Sequence, residues 1–406
     1  MIHAHLCRAL LALLTALLLS GCVSKKGALR PGAPASEENK EQALKLFREG
    51  SEMLFQQNEE ALSKFNASSK LDPDLIAAYY NAGIANEALG RKEDAIKDYE
   101  LCLEHNKEQG DCLNNLVILL HDSGENDKAN DMVSKYLSEY PELPFAMVAA
   151  AKLALVNGDL KTAEQYARQA IERDAENVEA LYVMARIFYK EKRYPAARFT
   201  AKNALELAPS HGQLHLLLGR TYEALGQVHD ALDSYAMAAK YYPSEEALET
   251  YGLMLLRRGR VQEALAPLKR VSELRPKDYR HFLHLGNAYM ANKMFIEAKA
   301  AYDKALELNP ADKDINYNLG LLFYDFQPSD MSEIDRLKLS QSYFKAYLEQ
   351  PGLEKERIHE VNDYIKKLGN KIEALELAAQ PAPEETEQPP ETKEEVPEEG
   401  EVPNVP

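Results

Sequence analysis

The chain has 406 residues and a formal charge of −17, with 28% charged and 45% hydrophobic residues, 8% aromatics and no Trp. That length suits two or three ordinary domains or one extended repeat array, and a core drawn mainly from Ala and Leu favours helices. So acidic a chain lacks the clustered Lys and Arg that neutralise phosphates, which argues against general nucleic-acid binding and against wholesale adsorption to anionic lipid.

At the amino terminus the weakly basic MIHAHLCR leads into an eleven-residue apolar run, Ala9 to Leu19, then Ser20 and Gly21. A membrane-spanning helix needs ~20 apolar residues, so the run has the length of a secretory signal core instead. Leu19-Ser20-Gly21-Cys22 resembles the lipobox of bacterial lipoproteins. The resemblance implies a signal peptide over 1–21, cleavage before Cys22, and a diacylglyceryl group with palmitate-type chains on that cysteine. The alternative is a plain secretory signal with an incidental cysteine. Residues 22–39 read as a flexible tether, which as a coil spans ~20–25 Å.

From residue 40 a repeat organises the chain. Ala61, Ala95, Ala129, Ala163, Ala197 and Ala231 recur every 34 residues, followed by Ala264 and Ala298. Twelve residues after them run Pro73, Pro141, Pro209, Pro243, Pro276 and Pro310, with Lys107 and Ala175 in the two gaps. Twelve before them lie Gly83, Gly219, Gly252 and Gly286, continued by Gly320. Small residues thus recur where two helices approach closely, and proline where the second helix must stop. Within a unit the apolar spacing is helical: Leu214, Leu217, Leu218 and Tyr222 form one face, Gly226 breaks the chain, and Ala231, Tyr235 and Ala238 form the next.

These columns, fullest in LGRTYEALGQVHDALDSYAMAAKYYP and LGNAYMANKMFIEAKAAYDKALELNP, closely resemble the tetratricopeptide repeat (TPR). The resemblance implies an all-α fold, an α-solenoid or right-handed superhelix of about nine helix–turn–helix hairpins over residues 40–350. The usual early aromatic of the first helix is kept at Tyr79 and Phe282 but replaced at Leu113, Met147, Leu181, His215, Leu248 and Asn316. The ninth unit carries an insertion, QPSDMSEIDR, between its helices. Residues 351–379 read as a capping helix over the apolar end of the array. From 380 to 406, nine Glu and seven Pro make an acidic tail that cannot bury enough apolar surface to fold. Such a tail could fold back on basic groups of the array or merely solubilise the chain.

Candidate chemistry is sparse. Neither a nucleophile elbow, a phosphate-cradling glycine loop nor a metal signature is found in the sequence, so no catalytic residue, cofactor or metal ligand is assigned and the chain reads as a non-enzyme without a small-molecule substrate. His211 and His215 are four apart and His281 and His284 three apart, but neither pair has a carboxylate at metal spacing, and His211 falls in a turn. Cys102 and Cys112 either pair in an oxidising compartment or are two small buried thiols.

By the resemblance to the TPR family, the first helix of each hairpin lines a concave groove. The residues on its inward columns include the aromatics Tyr80, Phe145, Tyr182, Tyr189, Tyr317 and Tyr324. They also include the basic Lys152, Arg186, Lys190, Arg220, Arg257 and Arg280, with Asn287. Arg can hold carboxylates bidentately and Tyr offers contact area at low entropic cost, so the groove suits an extended, partly acidic peptide. The alternative is solvated charge on exposed helices. The Lys–Asn–Lys/Arg clamp of chaperone-tail receptors is missing, since Asn81 and Asn115 lack the matching lysines.

The two resemblances together imply a non-catalytic protein–protein interaction scaffold. It would be lipid-anchored on the periplasmic face of the bacterial outer membrane in preference to the inner one, because Val23 is not the Asp of inner-membrane retention. Its expected role is assembly or stability of an envelope machine in the manner of pilotins: type IV pilus or secretion, gliding motility or polysaccharide export. The alternative is a peptidoglycan- or glycan-binding accessory of a cell-wall enzyme.

Overall fold

The computed structural model describes residues 35–380; Cys22 and the acidic tail beyond 380 lie outside them. The described residues form nineteen helices and no strand. They alternate in hairpins: α1 (Glu37–Met53) with α2 (Asn58–Leu71), α3 (Ile76–Ala88) with α4 (Lys92–His105), α5 (Gly110–Asp122) with α6 (Asn126–Glu139), and α7 (Pro144–Val156) with α8 (Leu160–Arg173). The series continues with α9 (Val178–Lys190) and α10 (Tyr194–Leu207), α11 (Gly212–Ala224) and α12 (Val228–Tyr241), α13 (Glu245–Arg257) and α14 (Val261–Leu274), and α15 (Tyr279–Ala291) and α16 (Phe295–Leu308). The ninth pair, α17 (Lys313–Asp325) and α18 (Glu333–Leu348), is followed by a long single helix, α19 (Lys355–Ala378). None of these helices is long and apolar enough to cross a membrane. The described residues divide into two compact units, unit 1 up to Ala247 and unit 2 from Leu248.

The repeat columns explain the hairpins. All eight column alanines, from Ala61 to Ala298, are fully buried near the start of each second helix. Opposite them the glycine column makes room for large side chains. A Cβ on Gly83 would fall 2.5 Å from the Tyr99 ring, and one on Gly219 2.5 Å from that of Tyr235. The rings are pinned from the far side as well, since Tyr235 Oη donates to Glu223 at 2.7 Å and Tyr302 Oη to Asn287 at 2.8 Å.

Between the paired helices the chain needs one residue in the left-handed region to satisfy the last carbonyls of the first helix. Gly90, Gly124, Gly158, Gly226 and Gly259 take it with φ of 73–82°. Lys192 and Lys293 occupy the same place in the fifth and eighth hairpins at φ 60° and 59°, at the ~1–2 kcal/mol cost of a left-handed non-glycine residue. The ninth hairpin solves the problem differently. Its insertion lets Arg336, almost wholly buried, reach back so that Nη1 donates to the carbonyls of Phe323 and Tyr324 at 2.6 and 2.7 Å.

The two ends are also accounted for locally. α1 starts at Glu37, inside the stretch assigned to the tether, because Ser36 Oγ caps it by accepting from Asn39 N at 3.2 Å. α19 lies on α18 as one continuous helix and buries Val361, Leu368 and Ile372.

Candidate functional site

In unit 1 the first helices of consecutive hairpins, α3, α5, α7, α9 and α11, carry the inward columns. Their centre is an ionic cluster shared by three hairpins. Lys152 of α7 is 9% exposed and places Nζ 2.5 Å from Glu179 Oε2 on α9. The other Glu179 oxygen lies 2.8 Å from His211 Nε2. His211 caps α11, where its Nδ1 accepts from Leu214 N at 3.2 Å; Nε2 therefore carries the proton and donates to Glu179. Burial alone would raise the Glu179 carboxyl, but Lys152 and His211 outweigh it and hold that carboxyl far below the usual range.

Aromatic groups flank the cluster. The Tyr182 ring packs 5.4 Å from His211, and the Arg186 guanidinium sits 5.5 Å over the same ring. Tyr80 is half-buried, and burial, then Asp111 and Glu179, push its hydroxyl up. Solvent reaches Asp111, yet protein crowds it closely enough that desolvation, with Glu179 adding, raises its carboxyl too. Both shifts belong to a wall that curves around its own side chains. Consistent with that, Phe55 in the turn of the first hairpin meets Tyr242, after the sixth, ring centroid to ring centroid at 6.2 Å.

The other inward residues divide by whether their neighbours leave them open. Phe145 packs on Tyr140 and Tyr136 of the preceding hairpin, at 5.5 and 6.1 Å. Tyr189 packs on Tyr194 at 5.6 Å, whereas Lys190 is exposed. Arg220 is half-buried against Glu246. In unit 2 Arg257 is exposed, Arg280 folds onto its own helix cap at Asp278, and Asn287 is occupied by Tyr302. Tyr317 and Tyr324 face α19: Tyr317 Oη donates to Glu360 at 3.0 Å and accepts from Arg357 at 2.7 Å, and Tyr324 meets Tyr364 at 5.1 Å. These two tyrosines hold the capping helix; the groove candidates of unit 1 are those from Tyr80 to Arg220.

Cys102 of α4 and Cys112 of α5 are joined as a disulfide, with Cα atoms 6.4 Å apart, both buried in the core between the second and third hairpins. The histidine pairs separate as well. His211 and His215 diverge, the second directing Nε2 to Pro209 O at 2.9 Å. His281 and His284 share a face of α15, and the carboxylate that their spacing lacks comes from the preceding hairpin: Glu249 Oε1 is 3.3 Å from His281 Nδ1 and 3.0 Å from His284 Nδ1. Sequence reasoning left out Glu179 and Glu249 and set His211 aside as a turn residue. The inward positions of the two carboxylates are readable from the repeat register, but their partners sit about 30 residues away in neighbouring hairpins and leave no local spacing to find.

Family models for the tetratricopeptide repeat match residues 76–108, 216–279 and 280–312, and one for subunit 3 of the anaphase-promoting complex, or cyclosome, matches 156–238. Among curated proteins the chain is similar to the BBSome complex member BBS4 of Bos taurus, 22% identical over 274 residues, 67% of this chain and 52% of that protein. It is also similar to the TPR repeat-containing protein YpiA of Bacillus subtilis, 23% identical over 283 residues, 68% of this chain and 64% of that one. The chain spans about half the length of the BBS4 relatives it matches. Among solved structures the APC/C hetero-tetramer Cut9–Hcn1 aligns with a TM-score of 0.52 at 18% identity, covering 76% of this chain and 59% of that one. Columns, hairpins and matches agree: the described residues are an all-helical α-solenoid of tetratricopeptide-repeat hairpins.

Proposed function

We propose that this chain is a lipid-anchored scaffold of the bacterial envelope, tethered through Cys22 to the periplasmic face of the outer membrane, where its unit 1 wall holds an extended segment of an envelope machine during assembly. The observation that carries the binding half is the wall from Tyr80 to Arg220. It combines aromatic area, an accessible Arg186 and exposed Lys190 with a pre-ordered Lys152–Glu179–His211 cluster. Pre-ordering matters because the side-chain entropy of the cluster is already spent before a partner arrives. The compartment half draws support from the Cys102–Cys112 disulfide, since such bonds persist mainly in oxidising compartments.

Two variants test the halves separately. Cys22→Ala is expected to remain unprocessed and to leave the outer-membrane fraction; normal processing and fractionation would discard the lipoprotein reading. In crosslinked cells, Tyr182→Ala combined with Arg186→Glu should lose the principal protein captured by the wild-type chain while the purified variant keeps its helical circular dichroism. Undiminished capture would remove the wall from the mechanism.

A further inference from the structure

Unit 2 holds a side-chain cluster that the scaffold reading does not use. His281 and His284 lie three residues apart on α15, which places them on one helix face. Glu249 projects to the same point from α13, at the inward column position that Tyr182 holds two hairpins earlier. Glu249 Oε1 is 3.0 Å from His284 Nδ1 and 3.3 Å from His281 Nδ1, and the three atoms lie within 4.8 Å of one another. Around a tetrahedral ion with bonds of ~2.0–2.1 Å, two ligand atoms stand roughly 3.3 Å apart, so the two distances from Glu249 Oε1 are already those of a coordination sphere.

We propose that Glu249, His281 and His284 form a three-ligand site for a borderline divalent transition metal of the Zn2+ class. Two imidazoles and one carboxylate suit such ions, whereas Mg2+ and Ca2+ want oxygen ligands throughout. The His281 side chain is 0% exposed, while those of Glu249 and His284 are 27% and 26% exposed. One ligand is thus fixed by the core and two stand at the surface, leaving the remaining position to water or to a ligand from a partner. Asp278 Oδ2 lies 3.9 Å from His281 Nε2, on the side where the second nitrogen of a metal-bound histidine commonly finds a carboxylate. Without metal, His284 Nδ1 hydrogen-bonds Glu249 Oε1 at 3.0 Å while His281 Nδ1 stands 3.3 Å from the same oxygen.

The probe is Co2+ with the full-length, tag-free chain, followed by titration calorimetry and by visible absorption, with His284→Ala and Glu249→Gln beside the wild type. Cys22 and the histidines near the amino terminus can also bind metal, so the reading is the difference between proteins. Wild type should bind one more equivalent of Co2+ than His284→Ala, with ligand-field bands of a four- or five-coordinate nitrogen–oxygen site. Glu249→Gln, which keeps the shape and a hydrogen-bond acceptor, should weaken that equivalent at least tenfold. Lowering the pH from 7.5 to 5.5 should release it as the imidazoles protonate. Equal stoichiometry and affinity in wild type and both variants would overturn the site and leave the cluster as a contact between neighbouring hairpins.

Discussion

Asp98 and Glu179 are carboxylates on hairpin helices whose surroundings shift them in opposite directions. Lys152 and His211 hold Glu179 low, so its contribution to stability is present above the ordinary carboxylate pKa of ~4.3 and is lost only as pH falls below that. At Asp98 burial outweighs the amide of Asn86, which donates at 2.7 Å, and the weaker pull of Lys97, and its pKa is pushed up to about 6. The folded state therefore binds the Asp98 proton more tightly than the unfolded chain does, where the pKa is ~3.9. The stability from this group is fully present below that value and is lost as pH rises through about 6. Asp98→Asn removes the buried charge and keeps an acceptor for Asn86. It should raise the melting temperature at pH 7.5 and change it much less at pH 4.5, as read by circular dichroism melts at the two pH values. A shift of equal size at both would show that the ionised Asp98 carboxylate is not strained by burial.

At the scale of the helix, identical residue types carry opposite consequences depending on column. Gly219 sits under Tyr235, whose hydroxyl is tied to Glu223, so the ring cannot swing aside to admit a methyl group. Overpacking of this kind typically costs ~1–3 kcal/mol and outweighs the ~1 kcal/mol that alanine gains over glycine inside a helix. Gly369 lies within α19 with only Gln341 Nε2 near its prospective Cβ, at an ordinary 3.6 Å. Gly219→Ala should therefore lower stability in urea titrations by about 1–2 kcal/mol, and Gly369→Ala should raise it by up to ~1 kcal/mol. The contrast marks what the sequence makes legible. The alanine, glycine and proline columns reveal the hairpins because the same packing problem recurs every 34 residues and admits few solutions. The left-handed turns at Lys192 and Lys293 are invisible by residue type, since lysine carries no turn preference there and only the register of neighbouring glycines locates them. Nor does the insertion of the ninth hairpin announce that Arg336 will cap α17.

Over the whole molecule, the sites were harder to read than the fold for a single physical reason: a concave wall is made by residues one hairpin apart, so each functional contact crosses a boundary that local spacing cannot see. Tyr317 and Tyr324 illustrate the converse. Their inward positions were legible, but α19 occupies them, because a stack of hairpins ends in an apolar face that something must cover. In unit 2 that cover is substantial. Val361, Leu368 and Ile372 are buried against Leu337, Phe344 and Tyr347, and Tyr364 stacks on Phe344 at 5.1 Å. At ~1.5–3 kcal/mol per large apolar side chain removed from water, the three aliphatic residues alone contribute on the order of 5 kcal/mol. A chain ending at residue 354 should therefore expose Tyr317, Phe344 and Tyr347, bind a hydrophobic dye and self-associate in sedimentation velocity. Leu368→Asp in the full-length chain should move the same readouts in the same direction, because it buries an unpaired charge at a position 1% exposed. If both proteins stayed monomeric with unchanged dye binding and melting, α19 would be an ornament on a stack already closed by α18. The tyrosines it covers would then return to the surface available for a partner.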